Sequence, residues 1–196
     1  EDIEEDMIVL KTTQNQLLGA LQSVAGIVER RHTLPVLANV LLRKNGETVQ
    51  LTTSDLEIQI RTAATLGGDS GNFATTVGAR KLIDILRTMP ADQTVSLESQ
   101  QNKLILKGGK SRFTLQTLPA EDFPLVQEAP NFGPAFKVPQ KTLKNLLDQV
   151  AFAMAVHDIR YYLNGILFVA EGTQLSLVAT DGHRLAFASA TLDVEV

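Results

Sequence analysis

The sequence predicts an α+β protein in which two helices pack on one side of an antiparallel sheet and the arrangement is then begun a second time. Three observations carry this. Helical and strand-like periodicities alternate through residues 7–127, a proline-rich stretch follows, and the residues beyond it repeat those before it.

Taken in order, an apolar strand at Met7–Leu10 leads into a helix on which Leu17, Leu18, Leu21, Val24, Ala25 and Val28 recur at helical spacing. Its opposite face carries Gln14, Asn15, Gln22 and Ser23, and it ends near Glu29. Strand-like runs follow at Val36–Arg43, Val49–Thr53 and Ile58–Ala64, the first two joined by Asn45-Gly46, a hairpin dipeptide. A second helix at Ala79–Met89 stops at Pro90, and strands are expected at Thr94–Glu98, Leu104–Lys107 and Arg112–Thr117. Five of the seven prolines, Pro119, Pro124, Pro130, Pro134 and Pro139, then fall in a stretch without sustained period, which reads as an interdomain connection. The boundary is placed near residue 127, giving domains 7–127 and 128–196.

Beyond the connection, Lys11, Gln14, Leu17, Leu21, Val24 and Ala25 return as Lys137, Gln140, Leu143, Leu147, Val150 and Ala151, each 126 residues on. Leu51 and Asp55 return as Leu177 and Asp181 at the same offset, while Asn39 and Leu42 meet Asn164 and Leu167 at 125, implying one inserted or deleted residue beside the hairpin. A second module of this period would run to about residue 255. Only its first half is expected here, with an unpartnered sheet edge and an uncovered apolar face.

Composition narrows the function classes. Of 196 residues, 44% are hydrophobic and 20% charged, which excludes disordered, collagen-like and membrane-spanning readings. There is no cysteine, so disulfide scaffolds, thiolate metal sites and cysteine nucleophiles are excluded, and a reducing cytoplasm fits. The net charge of −4 misleads: Glu1, Asp2, Glu4, Glu5 and Asp6 supply five of the 22 acids, leaving 17 against 18 bases from Met7 onward. A Met after an acidic run marks Met7 as the start of the folded protein and residues 1–6 as an acidic extension.

Gly109-Lys110-Ser111 resembles the tail of a phosphate-binding loop, but Leu104 stands where that motif needs glycine and a strand follows instead of a helix, so a hairpin turn is expected. His157-Asp158 and Asp181-Gly182-His183 could form a metal or hydrolase site, but no nucleophile elbow or paired helical ligands accompany them. Arg160-Tyr161-Tyr162 holds both tyrosines of the chain, suited to stacking on bases or to packing at a strand start. The helices carry Arg80, Lys81, Arg87, Lys141 and Lys144 against Asp84 and Asp148, and Arg30-Arg31 follow the first helix. That is a basic side suited to tracking a phosphate backbone. Asp181-Gly182-His183-Arg184-Leu185 reads either as a loop presenting an arginine and an apolar floor to a peptide or as a plain turn with glycine at positive φ.

The segments "TLPVLANVLL", "TTSDLEI", "RFTLQTLPAEDFP", "DIRYYLNGILF" and "ATDGHRLA" resemble the bacterial DNA polymerase III beta subunit family, the replicative sliding clamps, and the resemblance covers Met7 to about Leu192. It implies a DNA-clamp fold, three such domains per subunit, and two subunits closing head to tail around DNA with helices inward. It implies a processivity factor in the cytoplasm, with no catalytic residue, cofactor or metal. Its implied partners are double-stranded DNA, the polymerase III catalytic subunit, the clamp loader, other proteins with a clamp-binding motif and a second clamp subunit. Arg31, Arg80, His157, Tyr161 and Tyr162 would contact DNA, with His157 replacing the glutamine the family often has. Leu163, Thr180, Gly182, His183, Arg184 and Leu185 would form part of the peptide groove, and Lys81, Phe113 and Leu115 would lie at the dimer interface. Two other classes stand against this one: a sheet-based peptide-binding module unrelated to DNA, and a divalent-metal hydrolase.

Overall fold

The structure, a computed structural model, describes residues 6–194, so residues 1–5 of the acidic extension lie outside the described residues. The chain divides into two compact units, Glu1–Gln127 and Glu128–Val196.

In the first unit, β1 (Met7–Thr13) runs into α1 (Gln14–Val24), which tightens into a 3-10 turn at Ala25–Ile27. The Thr13 hydroxyl caps α1 by accepting from Gln16 N at 3.3 Å. A 3-10 turn at Pro35–Ala38 precedes β2 (Asn39–Asn45), β3 (Thr48–Ser54), β4 (Gln59–Thr65) and β5 (Asn72–Gly78). Then come α2 (Ala79–Arg87), β6 (Thr94–Gln100), β7 (Lys103–Gly108) and β8 (Ser111–Leu118). The strands form one sheet in the order β1-β6-β7-β8-β5-β2-β3-β4, antiparallel throughout. One cluster, including Leu17, Leu21 and Val24 of α1 and Leu82 and Leu86 of α2, fills the space between helices and sheet.

The helices run antiparallel and are tied at both ends. Gln14 Nε2 donates to Leu86 O at 2.7 Å, and Arg80 Nη2 donates to Val28 O at 2.7 Å. Gln14 is therefore buried, not on the polar face that its sequence position suggested. Burying that amide is tolerable because it is hydrogen-bonded.

The two outer strands of the sheet are joined by the segment that follows β4. Lys11 N donates to Leu66 O at 2.9 Å, and Asp69 N to Ile8 O at 2.8 Å. Only glycine fits this approach: a Cβ on Gly67 (φ +68°) would meet Lys11 O at 2.4 Å, and one on Gly68 (φ +89°) would meet Ile8 O at 2.6 Å. Lys44, 2% exposed, secures the same seam by donating from Nζ to Gly67 O at 3.2 Å, and its burial pulls its pKa below the usual lysine value.

Several expectations need correction. Val36 and Leu37 lie in a 3-10 turn opened by Pro35 rather than in a strand. Asn45 pairs with Thr48, so the hairpin turn is Gly46-Glu47, with Gly46 at φ +63°. Strand β5 has no counterpart in the sequence reading, because its buried run Thr75-Thr76-Val77 is two-thirds polar. Thr76 escapes the penalty by donating its hydroxyl to Leu118 O at 2.8 Å. Gly109-Lys110 is a hairpin turn, as expected, with Gly109 at φ +58°.

The second unit contains α3 (Gln140–Val150), 3-10 turns at Ala151–Ala153 and Tyr161–Asn164, and the strands β9 (Leu167–Glu171), β10 (Gln174–Thr180) and β11 (Leu185–Thr191) in the order β11-β10-β9. The repeat is explicit: α1, both 3-10 turn starts, β3 and β4 each recur 126 residues later as α3, its two turns, β10 and β11. The hairpin pairs Asn45↔Thr48 and Glu171↔Gln174 keep the same offset, so no insertion beside the hairpin is needed. Here the outer face of the sheet is apolar and open, with Leu167, Val169, Leu185 and Phe187 all exposed.

Candidate functional site

The site is built on two segments of the second unit. The first, residues 155–164, connects the end of α3 to β9. Its ends are clamped: Ala155 N donates to Leu163 O at 3.0 Å and Leu163 N to Arg160 O at 2.9 Å. The Asn164 side chain accepts from Asp158 N and donates to Asp158 O, both at 3.0 Å. Asp158 holds Arg160 through Nε and Nη2, each at 3.1 Å. This pairing, with the Arg160 backbone N–H, keeps the Asp158 carboxyl below the usual carboxylate range. Asp158 thus serves an arginine rather than a metal. Among the described residues, no group of three His, Asp or Glu side chains converges on a point that could hold an ion.

This clamped segment displays Tyr161 and Tyr162 side by side and exposed, their rings edge to face with centroids 5.9 Å apart. They stand in a 3-10 turn and not at a strand start. His157 precedes them, exposed, at φ +57°.

The second segment is the turn between β10 and β11. Asp181 Oδ1 accepts from His183 N and Arg184 N at 2.9 Å each, and Oδ2 accepts from Arg184 Nε at 3.2 Å. The His183 and Arg184 N–H groups lower the Asp181 pKa. Thr180 Oγ1 accepts from Gly182 N at 3.1 Å and donates to Arg184 O at 2.7 Å. The N–H groups of Asp181, Gly182, His183 and Arg184 are thereby all engaged within the turn, and Arg184 is aimed across the Phe152 ring, 5.6 Å from its centroid. Phe152, under this guanidinium, is 62% exposed, while Leu185 and Phe187, 65% and 63% exposed, lie together on the face of β11 turned away from α3, because the alternate Ala186 and Ala188 pack into the core. Leu163 is half-buried. Of the groove residues expected from the sequence, Thr180, Gly182, His183, Arg184 and Leu185 fall in this turn and Leu163 in the first segment. Phe152 escaped notice, although the repeat carried a signal, since the first unit has Gly26 at that place.

The remaining candidates lie in the first unit. Arg31 is exposed in the loop after α1, and Arg80 opens α2. A cleft of about 660 Å³ between the helix ends is lined by Arg30, Arg80, Lys81 and Arg87 against Glu29 and Asp84. Strand β8 pairs with β5 only through Thr76↔Leu118 and Val77↔Thr117. The edge from Ser111 to Gln116 has no partner on that side in the described pairing. Lys81 and Leu115 line a notch beside it, and Phe113 is half-buried. Leu115 itself is 1% exposed in the core, so its side chain faces away from any partner and only its backbone lies on the edge.

Comparison with known proteins gives a consistent result. The family model for the DNA polymerase III beta subunit, N-terminal domain, matches residues 8–127, and that for the central domain matches residues 137–196. A beta sliding clamp from Pseudomonas aeruginosa is 48% identical over 180 residues, covering 92% of this chain and 48% of the relative. One from Escherichia coli is 43% identical over 176 residues, covering 90% and 48%. The crystal structure of a Pseudomonas aeruginosa sliding clamp bound to griselimycin superposes with a TM-score of 0.86 at 45% identity, over 97% of this chain and 51% of that one. The chain spans about half the length of the relatives it matches. With both domain matches in register with the two structural units, the chain belongs to the DNA polymerase III beta subunit family.

Proposed function

We propose that this chain acts in DNA replication as a non-catalytic processivity clamp in the cytoplasm, encircling duplex DNA without reading its sequence and tethering the replicative polymerase through a peptide groove. The observation that carries the reading is the turn at Asp181. Its main-chain N–H groups are engaged internally, so what it offers a ligand is the apolar strand face of Leu185 and Phe187 and the Arg184 guanidinium. A short extended peptide gains affinity by burying apolar side chains on such a face, at about 25 cal/mol per Å². Arg184 orients it. Groove partners are the polymerase catalytic subunit, the clamp loader and other proteins with an apolar clamp-binding motif.

DNA is held through Arg31, Arg80, His157, Tyr161 and Tyr162. The charges track phosphates and the tyrosines provide stacking faces, a sequence-tolerant set that permits sliding. Arg80 is tied to Val28 O, so it presents a fixed charge. A second subunit closes the ring head to tail at the open edge of β8, with Lys81 and Phe113 beside it and Leu115 contributing backbone.

Titrating a labelled apolar peptide into the protein and into its Leu163→Ala and Arg184→Ala variants tests the groove. Both substitutions weaken binding under this reading; binding unchanged in both contradicts it. For DNA, Arg31→Ala lowers affinity equally for unrelated sequences and flattens the dependence of log K on log salt by about 0.9.

A further inference from the structure

The Arg160 side chain touches both segments of the site. On one side Asp158 grips its guanidinium through two bonds of 3.1 Å. On the other, the guanidinium lies against the bare Cα of Gly182: a methyl group built there would stand 3.3 and 3.4 Å from its two terminal nitrogens. Gly182 adopts φ +91°, which by itself favours glycine. The first repeat separates the two reasons for glycine. At the equivalent place, 126 residues earlier, Leu56 adopts φ +79° in a turn with the same bonds, Asp55 Oδ1 accepting from Glu57 N at 2.9 Å and from Ile58 N. The turn forms with a leucine there. What glycine adds in the second repeat is room for Arg160, whose own place in the first repeat is taken by Leu34.

Resting on the functional reading above, we propose that Arg160 is a positioning residue that locks the tyrosine segment to the groove turn, so that a ligand on either is felt by the other. The Asp158 pair is too exposed to contribute much stability, but a bidentate carboxylate fixes the plane and direction of the guanidinium. That plane is what meets Gly182. Lysine, a point charge on a flexible stem, cannot hold both contacts.

The test uses amide resonances of the 15N-labelled 196-residue chain, with resonances of α3, Gln140–Val150, reporting that the second unit of each variant remains folded. Gly182→Ala, which pushes on the guanidinium, is expected to shift Asp158–Tyr162 as well as its own turn. With Arg160→Ala or Arg160→Lys already present, its shifts should stay within Thr180–Leu185. Shifts that reach Asp158–Tyr162 regardless of residue 160, or that lysine restores, overturn the lock. A short synthetic peptide with adjacent leucine and phenylalanine side chains is then added. In the starting protein it shifts both segments. In Arg160→Ala it shifts the turn and Leu163 but no longer Asp158–Tyr161, and binds about fivefold more weakly. If the starting protein binds no peptide, the groove reading falls alone, and the ligand-free comparison still decides for or against the lock.

Discussion

The turns at Asp55 and Asp181 are one backbone built twice, and they carry different side chains. In each, an aspartate accepts from the two following N–H groups and its own N–H bonds back across the turn, to Ile58 O at 3.1 Å and to Arg184 O at 3.4 Å. In each, the residue after the aspartate has positive φ and bonds back to a hydroxyl, Ser54 in the first repeat and Thr180 in the second. Yet Leu56 tolerates an unfavourable conformation where Gly182 does not have to, and Ile58 stands where Arg184 reaches over Phe152. The scaffold was kept and the surface chemistry changed, which separates what the fold needs from what the site needs.

The helices teach the same lesson from the inside. Leu21 of α1 is 1% exposed under a sheet of eight strands, while its counterpart Leu147 in α3 is half-buried beside three. Leu21→Ala should therefore lower stability by about 3 kcal/mol, and Leu147→Ala by about 1 kcal/mol. Urea unfolding of the two variants compares them, and equal losses would break the distinction between the units. Gly182→Leu, which copies the first repeat into the second, should cost about 2 kcal/mol through its φ and the displaced Arg160. The reverse change, Leu56→Gly, should raise stability by about 0.5 kcal/mol, relief of the left-handed strain outweighing glycine's unfolded-state entropy. Thermal unfolding checks both signs.

The smallest effect is on pH. In the folded protein the pKa values of Asp55 and Asp181 are lowered, chiefly by the N–H of Ile58 and of His183 respectively. A depressed carboxyl stabilises the fold above its unfolded pKa of about 3.9, and that contribution is lost as pH falls through the folded value. Melting temperatures of Asp55→Asn and Asp181→Asn should thus converge on that of the unsubstituted chain as pH falls below about 4.

The helices, the repeat and seven of the eight strands of the first unit were legible in the sequence, because Leu17, Leu21 and their counterparts keep helical spacing and Val49, Leu51 and Leu177 keep alternation. Strand β5 was hidden by buried threonines whose bonds only the folded chain supplies. The turn at Asp181 was visible as residues but not as a surface: nothing in the spacing of Phe152, Asp158, Arg160 and Arg184 says that they meet.

The most direct test of the account is to map an apolar peptide onto the two matching turns in a single 15N-labelled sample. The peptide is predicted to shift Thr180–Leu185 and to leave Ser54–Gln59 unmoved, because only the second turn has Arg184 and the exposed Phe152 and Leu185 around it. Shifts of similar size at both turns, or at the first alone, would contradict the claim that one scaffold was specialised into a groove at its second appearance.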